Sequence, residues 1–198
     1  MSRTNISVSQ ELADDLSDQA TSQNKTMYGI TNESLRTVVR VLKEGGRIEE
    51  IYEAWRLNRI ARDIGAFPLI GREPILSLAK ELYSKDREKL GKIWFEGGVS
   101  AGSYFRMICQ TFEEFASMLE SLKDVLTVGR IEFKRDREDP HKFIFQEVTT
   151  LPMELNYCRE QYFSGIFSAL SAKVLDHETG PGTLQIHVET AQSIKKQL

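Results

Sequence analysis

The sequence predicts an α+β protein in two parts, a short strand-helix-helix segment followed by helices packed on a small antiparallel sheet. Three observations carry this. Residues 3–8 alternate polar and apolar side chains ahead of two amphipathic helical patterns. Residues 129–148 read as two strands around a polar turn, and long helical patterns lie on both sides of that hairpin.

In order, Thr4, Ile6 and Val8 form one face of the first strand and Arg3, Asn5 and Ser7 the other. Ser9 stands as a helix cap, Glu11 lies in the first turn, and Leu12, Leu16 and Ala20 mark a buried stripe that ends near Asn24. A second helix is predicted to start at Thr31, to carry Leu35, Val38, Val39 and Leu42, and to stop at Gly45-Gly46. Ile48, Ile51, Tyr52, Trp55 and Ile60 follow as a connector helix, which Gly65-Ala66-Phe67-Pro68 breaks. The second part reads as helices over residues 73–83, 86–109 and 111–125, strands at 130–134 and 142–148, a helix over 153–173, and a last strand holding Leu184, Ile186 and Val188. The organisation is a module at 1–46, connector and linker at 47–70, a larger domain at 71–190 and a tail at 191–198.

Composition narrows the classes. The chain of 198 residues is 40% hydrophobic and 28% charged, as in an ordinary globular protein. It opens with no apolar signal segment and holds no run of apolar residues long enough to span a membrane, so a cytoplasmic protein without membrane partners is expected. Its two cysteines, Cys109 and Cys158, sit among large apolar neighbours, as buried free thiols do. The net charge of -3 supplies no general attraction to nucleic acid, so any such contact must be local.

A strand this short needs a ladder partner, and the same strand of a second copy would provide one. A two-stranded ribbon fits the DNA major groove, where Arg3 could fork onto guanine, Asn5 pair with adenine and Ser7 contact either. On these residues and on the apolar spacing of the two helices, the first 46 residues resemble the ribbon-helix-helix family of repressors, which includes Arc and MetJ. The resemblance implies a homodimer on double-stranded DNA. Arg3, Asn5 and Ser7 would read bases, and Thr31 and Asn32 at a helix N-terminus would hold a phosphate. Acidic Glu11, Asp14, Asp15, Asp18, Glu33 and Glu44 balance the basic residues of the segment, which keeps dimerisation without DNA as the alternative.

In the second part, Gly98 and Gly102 lie on one helix face with Trp94, Phe95 and Phe105, and Gly165 lies among Cys158, Tyr162 and Phe163. Small residues so placed admit either another helix or a flat ligand. These clusters, with the residues 175–179 and 184–188 that follow, resemble the vinyl-4-reductase domain, related in fold to the subunits of the TRAPP tethering complex. The resemblance implies a TRAPP-like α+β domain with a hydrophobic pocket lined by Trp94, Phe95, Gly98, Gly102, Phe105, Cys158, Tyr162, Phe163 and Gly165. Core packing is the alternative for each aromatic.

Cys158 with His177 or His187 makes an incomplete metal set, so no metal is expected, and no nucleophile elbow, P-loop or zincin motif is present. The reading is therefore non-enzymatic, without catalytic residues and without a cofactor beyond an unidentified hydrophobic small molecule. It is a homodimeric DNA-binding transcription regulator whose second domain responds to that molecule. A dimeric carrier or scaffold for an apolar compound, or an enzyme acting on a tetrapyrrole intermediate, are its alternatives.

Overall fold

A computed structural model describes residues 5–65, 72–122 and 129–190. The chain divides into two compact units, residues 1–52 and 53–198, and the break falls inside a helix.

The first unit holds α1 (Gln10–Ser22), α2 (Met27–Lys43) and the opening turns of α3 (Ile48–Asp63). Ser9 caps α1 by accepting the Leu12 N–H at 3.3 Å. The chain then reverses through Asn24, whose φ of 53° suits a short polar side chain in the left-handed region. Ala20 and Ile30 are buried where α1 meets α2, while Leu12, Leu35, Val39 and Leu42 remain exposed.

Two sequence expectations are corrected here. The second helix begins at Met27, one turn before Thr31, because the Thr26 hydroxyl caps it by accepting the Gly29 N–H at 3.0 Å. Thr31 and Asn32 are therefore interior residues whose side chains donate back to the carbonyls of Met27 (2.7 Å) and Tyr28 (2.8 Å). They are not at the helix end whose free N–H groups would hold a phosphate. The predicted strand is also not seen: residues 5–8, including Asn5 and Ser7, are exposed and irregular, and Arg3 lies outside the described residues. No described segment of the unit offers those residues a ladder, without which an extended stretch is not a strand.

The second unit continues α3 and adds α4 (Arg72–Lys85), α5 (Arg87–Ile108), α6 (Phe112–Ser121), β1 (Gly129–Arg135), β2 (Lys142–Thr149), α7 (Met153–Ala169), β3 (Ala172–Gly180) and β4 (Thr183–Thr190). The sheet is antiparallel in the order β1-β2-β4-β3. Phe133, Phe145 and Ile186 stand opposite one another across three strands. Phe143, Phe145, Leu184, Ile186 and Val188 are buried in one core with Phe163, Ile166 and Phe167 of α7. The α+β class and the hairpin follow from the alternation of residues 143–149, which buries every second residue of β2.

The sequence reading runs the preceding helix to residue 173 and gives no strand over β3. The helix stops at Ala169, and Ser171 turns the chain with φ 62°. Residues 175–178 are all exposed on an edge strand, and a bulge between Val174 and Asp176 interrupts the two-residue rhythm by which strands are recognised.

α5 and α7 cross with their backbones almost touching. A Cβ on Gly98 would meet the Tyr162 carbonyl and lie 3.1 Å from the Gly165 Cα, and one on Gly165 would meet the Phe95 carbonyl. Gly102 faces Ala169 and Ile166 in the same seam. The glycine-flanked space expected to receive a ligand is filled by the helices themselves.

Candidate ligand cavity

Beside that crossing lies a cavity of about 220 Å³. α3 supplies Leu57, Ile60 and Ala61 from one helix face, and Ile64 follows just past its end. Phe105 of α5, Phe115, Met118 and Leu119 of α6, Leu122, and Ile131 of β1 form further walls. α7 contributes Arg159, Tyr162, Phe163 and Ile166.

Among the described residues, Arg159 and Tyr162 are the polar members of the lining. The alternation of β2 forces Glu147 inward between Phe145 and Thr149, and its carboxylate is 0% exposed. Arg159, three residues before Tyr162 on α7, answers it through Nε at 2.8 Å and Nη2 at 2.5 Å. The guanidinium also lies 5.4 Å from the centroid of the Phe163 ring. The Tyr162 hydroxyl has no hydrogen-bond partner among the described residues, and burial pushes its pKa up, so it stays a neutral O–H donor. Its ring packs edge-on against Trp94 at 6.2 Å.

Of the ligand-binding candidates read from sequence, Phe105, Tyr162 and Phe163 line this cavity, whereas Gly98, Gly102 and Gly165 form the helix crossing. Trp94 and Cys158 belong to a separate apolar cluster with Leu76, Leu90 and Leu155, and Phe95 gives its carbonyl to the crossing. The sequence reading missed the α3 and α6 walls and Arg159. The helical spacing of Leu57, Ile60 and Ile64 was the available signal, obscured because the same segment could serve as a mere connector.

Both thiols are sealed. Burial raises the Cys158 pKa to about 12 and also raises that of Cys109. Neither thiol is expected to react with a disulfide reagent at pH 8 in the native protein, while both should react within seconds in denaturant. Fast native labelling would show that the core opens. Among the described residues no three His, Cys, Asp or Glu side chains are grouped to hold a metal, and no helix is long and apolar enough to cross a membrane.

No family model matches the chain, and no curated protein matches it. Solved structures do. One concerned with the mechanism of H-NOX activation shares 14% identity at TM-score 0.44 over 70% of this chain and 88% of its own. One concerned with heme distortion in the H-NOX family shares 13% at TM-score 0.44 over 71% and 87%. One of an oxygen-binding H-NOX domain related to soluble guanylate cyclases shares 13% at TM-score 0.42 over 84% and 97%. Overlaps of this size assign neither family nor ligand to this chain.

These findings nevertheless correct the sequence reading. Neither a ribbon-helix-helix nor a vinyl-4-reductase model is recovered, and the matched structures are H-NOX domains. Together with the missing strand and the displaced start of α2, this withdraws both resemblances. The DNA-binding regulator, double-stranded DNA as partner and the ribbon-built homodimer go with them. The carrier and tetrapyrrole-enzyme alternatives gain nothing in exchange. The expectation of no cofactor is likewise set aside, since matched structures include heme proteins.

Whether heme suits this chain depends on its own residues, and they do not fit it. His141 lies in the turn before β2, His177 pairs with Glu160 at 3.3 Å, and His187 is bonded to Gln185 at 2.7 Å. No histidine or cysteine lines the cavity. Its 220 Å³ is also below the roughly 300–1,000 Å³ of pockets for drug-sized ligands.

Proposed function

We propose that the unit of residues 53–198 is a binding domain for one small, mainly apolar molecule seated between α3, α6 and α7. The observation that carries this is the cavity itself. Close-packed interiors leave few voids larger than a water molecule, and this one has a lining of aliphatic and aromatic side chains. An apolar cavity of roughly 150 Å³ already accommodates a benzene-sized guest. Binding rather than turnover is favoured because the lining includes no Ser, Cys, His, Asp, Glu or Lys among the described residues.

The test is a thermal melt of the full chain with isopropylbenzene. At about ten times its Kd, a ligand bound by the native state alone adds roughly 1.4 kcal/mol, or a rise of about 3–6 °C for a chain of this size. Ala61→Phe, which fills the cavity from α3, should abolish the rise. An unshifted wild-type melt at saturating ligand would remove the proposal. A loss of about 1–3 kcal/mol in Ala61→Phe would mean that the space was already packed.

A further inference from the structure

We infer that α2 is a docking surface for an anionic lipid membrane, on which the helix lies flat without crossing it. The surface belongs to the first unit and is independent of the cavity.

Tyr28, Leu35, Val39 and Leu42 recur at helical spacing and so form one stripe along α2. All four are exposed, Tyr28 by 63% and Leu42 by 50%. An amphipathic helix ordinarily turns such a stripe to a core. Here it faces the other way. Ile30, buried where α1 meets α2, precedes Val39 by nine residues, which places the two roughly half a turn apart around the helix.

Arg36, Arg40 and Lys43 each directly follow one of the three aliphatic residues, so they form a second row beside the first. All three are exposed, and none has a carboxylate partner among the described residues. Glu33, the acid within α2, is held by Lys25 at 2.6 Å, and Glu44 stands past the helix end as its C-cap. The acids of α1, among them Asp14, Asp15 and Asp18, belong to the helix packed behind the stripe.

The exposed aliphatic side chains favour an apolar medium and the cations favour anions, within the width of one helix. The boundary of a membrane that contains anionic lipid supplies both, with the leucines below the headgroups and the cations level with the phosphates. Tyr28 suits the same boundary, with its ring inward and its hydroxyl toward water. The same stripe of a second copy offers further cations and no carboxylate, so charge opposes self-association through this face. The sequence expectation of no membrane partner rested on the lack of a spanning segment. Among the described residues no helix is long and apolar enough to cross, and a helix lying on the surface need not be.

The test is co-sedimentation of the full chain with vesicles of phosphatidylcholine alone and of phosphatidylcholine mixed with phosphatidylserine. Binding to the anionic vesicles is expected to be at least roughly tenfold tighter, and to weaken as salt is raised from about 0.1 M to about 1 M. Arg36→Gln with Arg40→Gln should weaken it roughly 30-fold, at about fivefold per cation. Leu35→Gln with Leu42→Gln keeps every charge and should still weaken it by roughly tenfold or more. Glutamine is a good helix former and the four positions are exposed, so circular dichroism should show α2 retained in both double variants. Equal binding to the two vesicles, no binding to either, or undiminished binding by either folded double variant overturns the inference. An oligoglutamate peptide that binds more tightly than the anionic vesicles assigns the face to an acidic protein partner and overturns it as well.

Discussion

Replacing Arg159 with leucine is expected to destabilise the protein by about 3–5 kcal/mol, most of the stability of an ordinary domain. The loss does not measure the strength of the ion pair. It arises because Glu147, with no exposed surface, loses the guanidinium that meets both of its carboxylate oxygens. The side chain cannot move to water, since the residues flanking it along β2, Phe145 and Thr149, are themselves buried. The matched control removes both members. Glu147→Leu with Arg159→Leu replaces a desolvated pair by apolar groups of similar volume, so the double variant should recover most of the loss. Urea midpoints of the wild type, both singles and the double measure the coupling. A single-variant loss below about 1 kcal/mol would show that Glu147 reaches solvent.

That pair also shows where the sequence was readable. Phe143, Phe145, Glu147 and Thr149 alternate without interruption, and the strand at 142–148 was legible from this region of the sequence. The same alternation placed a carboxylate in the core, which was the cue that a cation must stand opposite. Arg159 was hard to choose from α7 because that helix has buried residues on most sides, including polar Asn156 and Glu160. Asn156 is occupied in tying Thr149 of β2 to the Gly180 carbonyl of β3, at 2.9 and 2.7 Å. Such a bond joins segments far apart in sequence and leaves no periodic trace.

The N-terminal segment failed for a local reason. The sequence reading started α2 at Thr31, but the Thr26 hydroxyl caps the helix one turn earlier by accepting the Gly29 N–H, despite the helix cost of that glycine. The glycine-rich stretches were located correctly but stood equally for a ligand cleft and for a helix crossing. Only the separation of the two backbones distinguishes these, and it depends on how the whole of α7 lies on the sheet.

Adjacent glycines on α5 should respond with opposite signs to the same substitution. Gly98→Ala places its methyl against the Tyr162 carbonyl and 3.1 Å from the Gly165 Cα. No side-chain rotation relieves a collision with backbone, so α5 and α7 must separate along the seam that also holds Gly102. The cost should reach or exceed the top of the range of about 1–3 kcal/mol for overpacking. Gly165→Ala meets the Phe95 carbonyl from the other side and should cost as much. At Gly97 a methyl would find its nearest neighbours at 3.9 Å, on the Tyr162 ring, which is ordinary contact. There the helix gains the preference of alanine over glycine, and Gly97→Ala should be neutral or stabilising by up to about 1 kcal/mol. Thermal and urea unfolding of the three variants give the comparison. If Gly97→Ala and Gly98→Ala behave alike, the helices do not meet at this seam. The glycine face would then be open to a ligand after all, and the cavity beside α3 would lose its claim as the binding site.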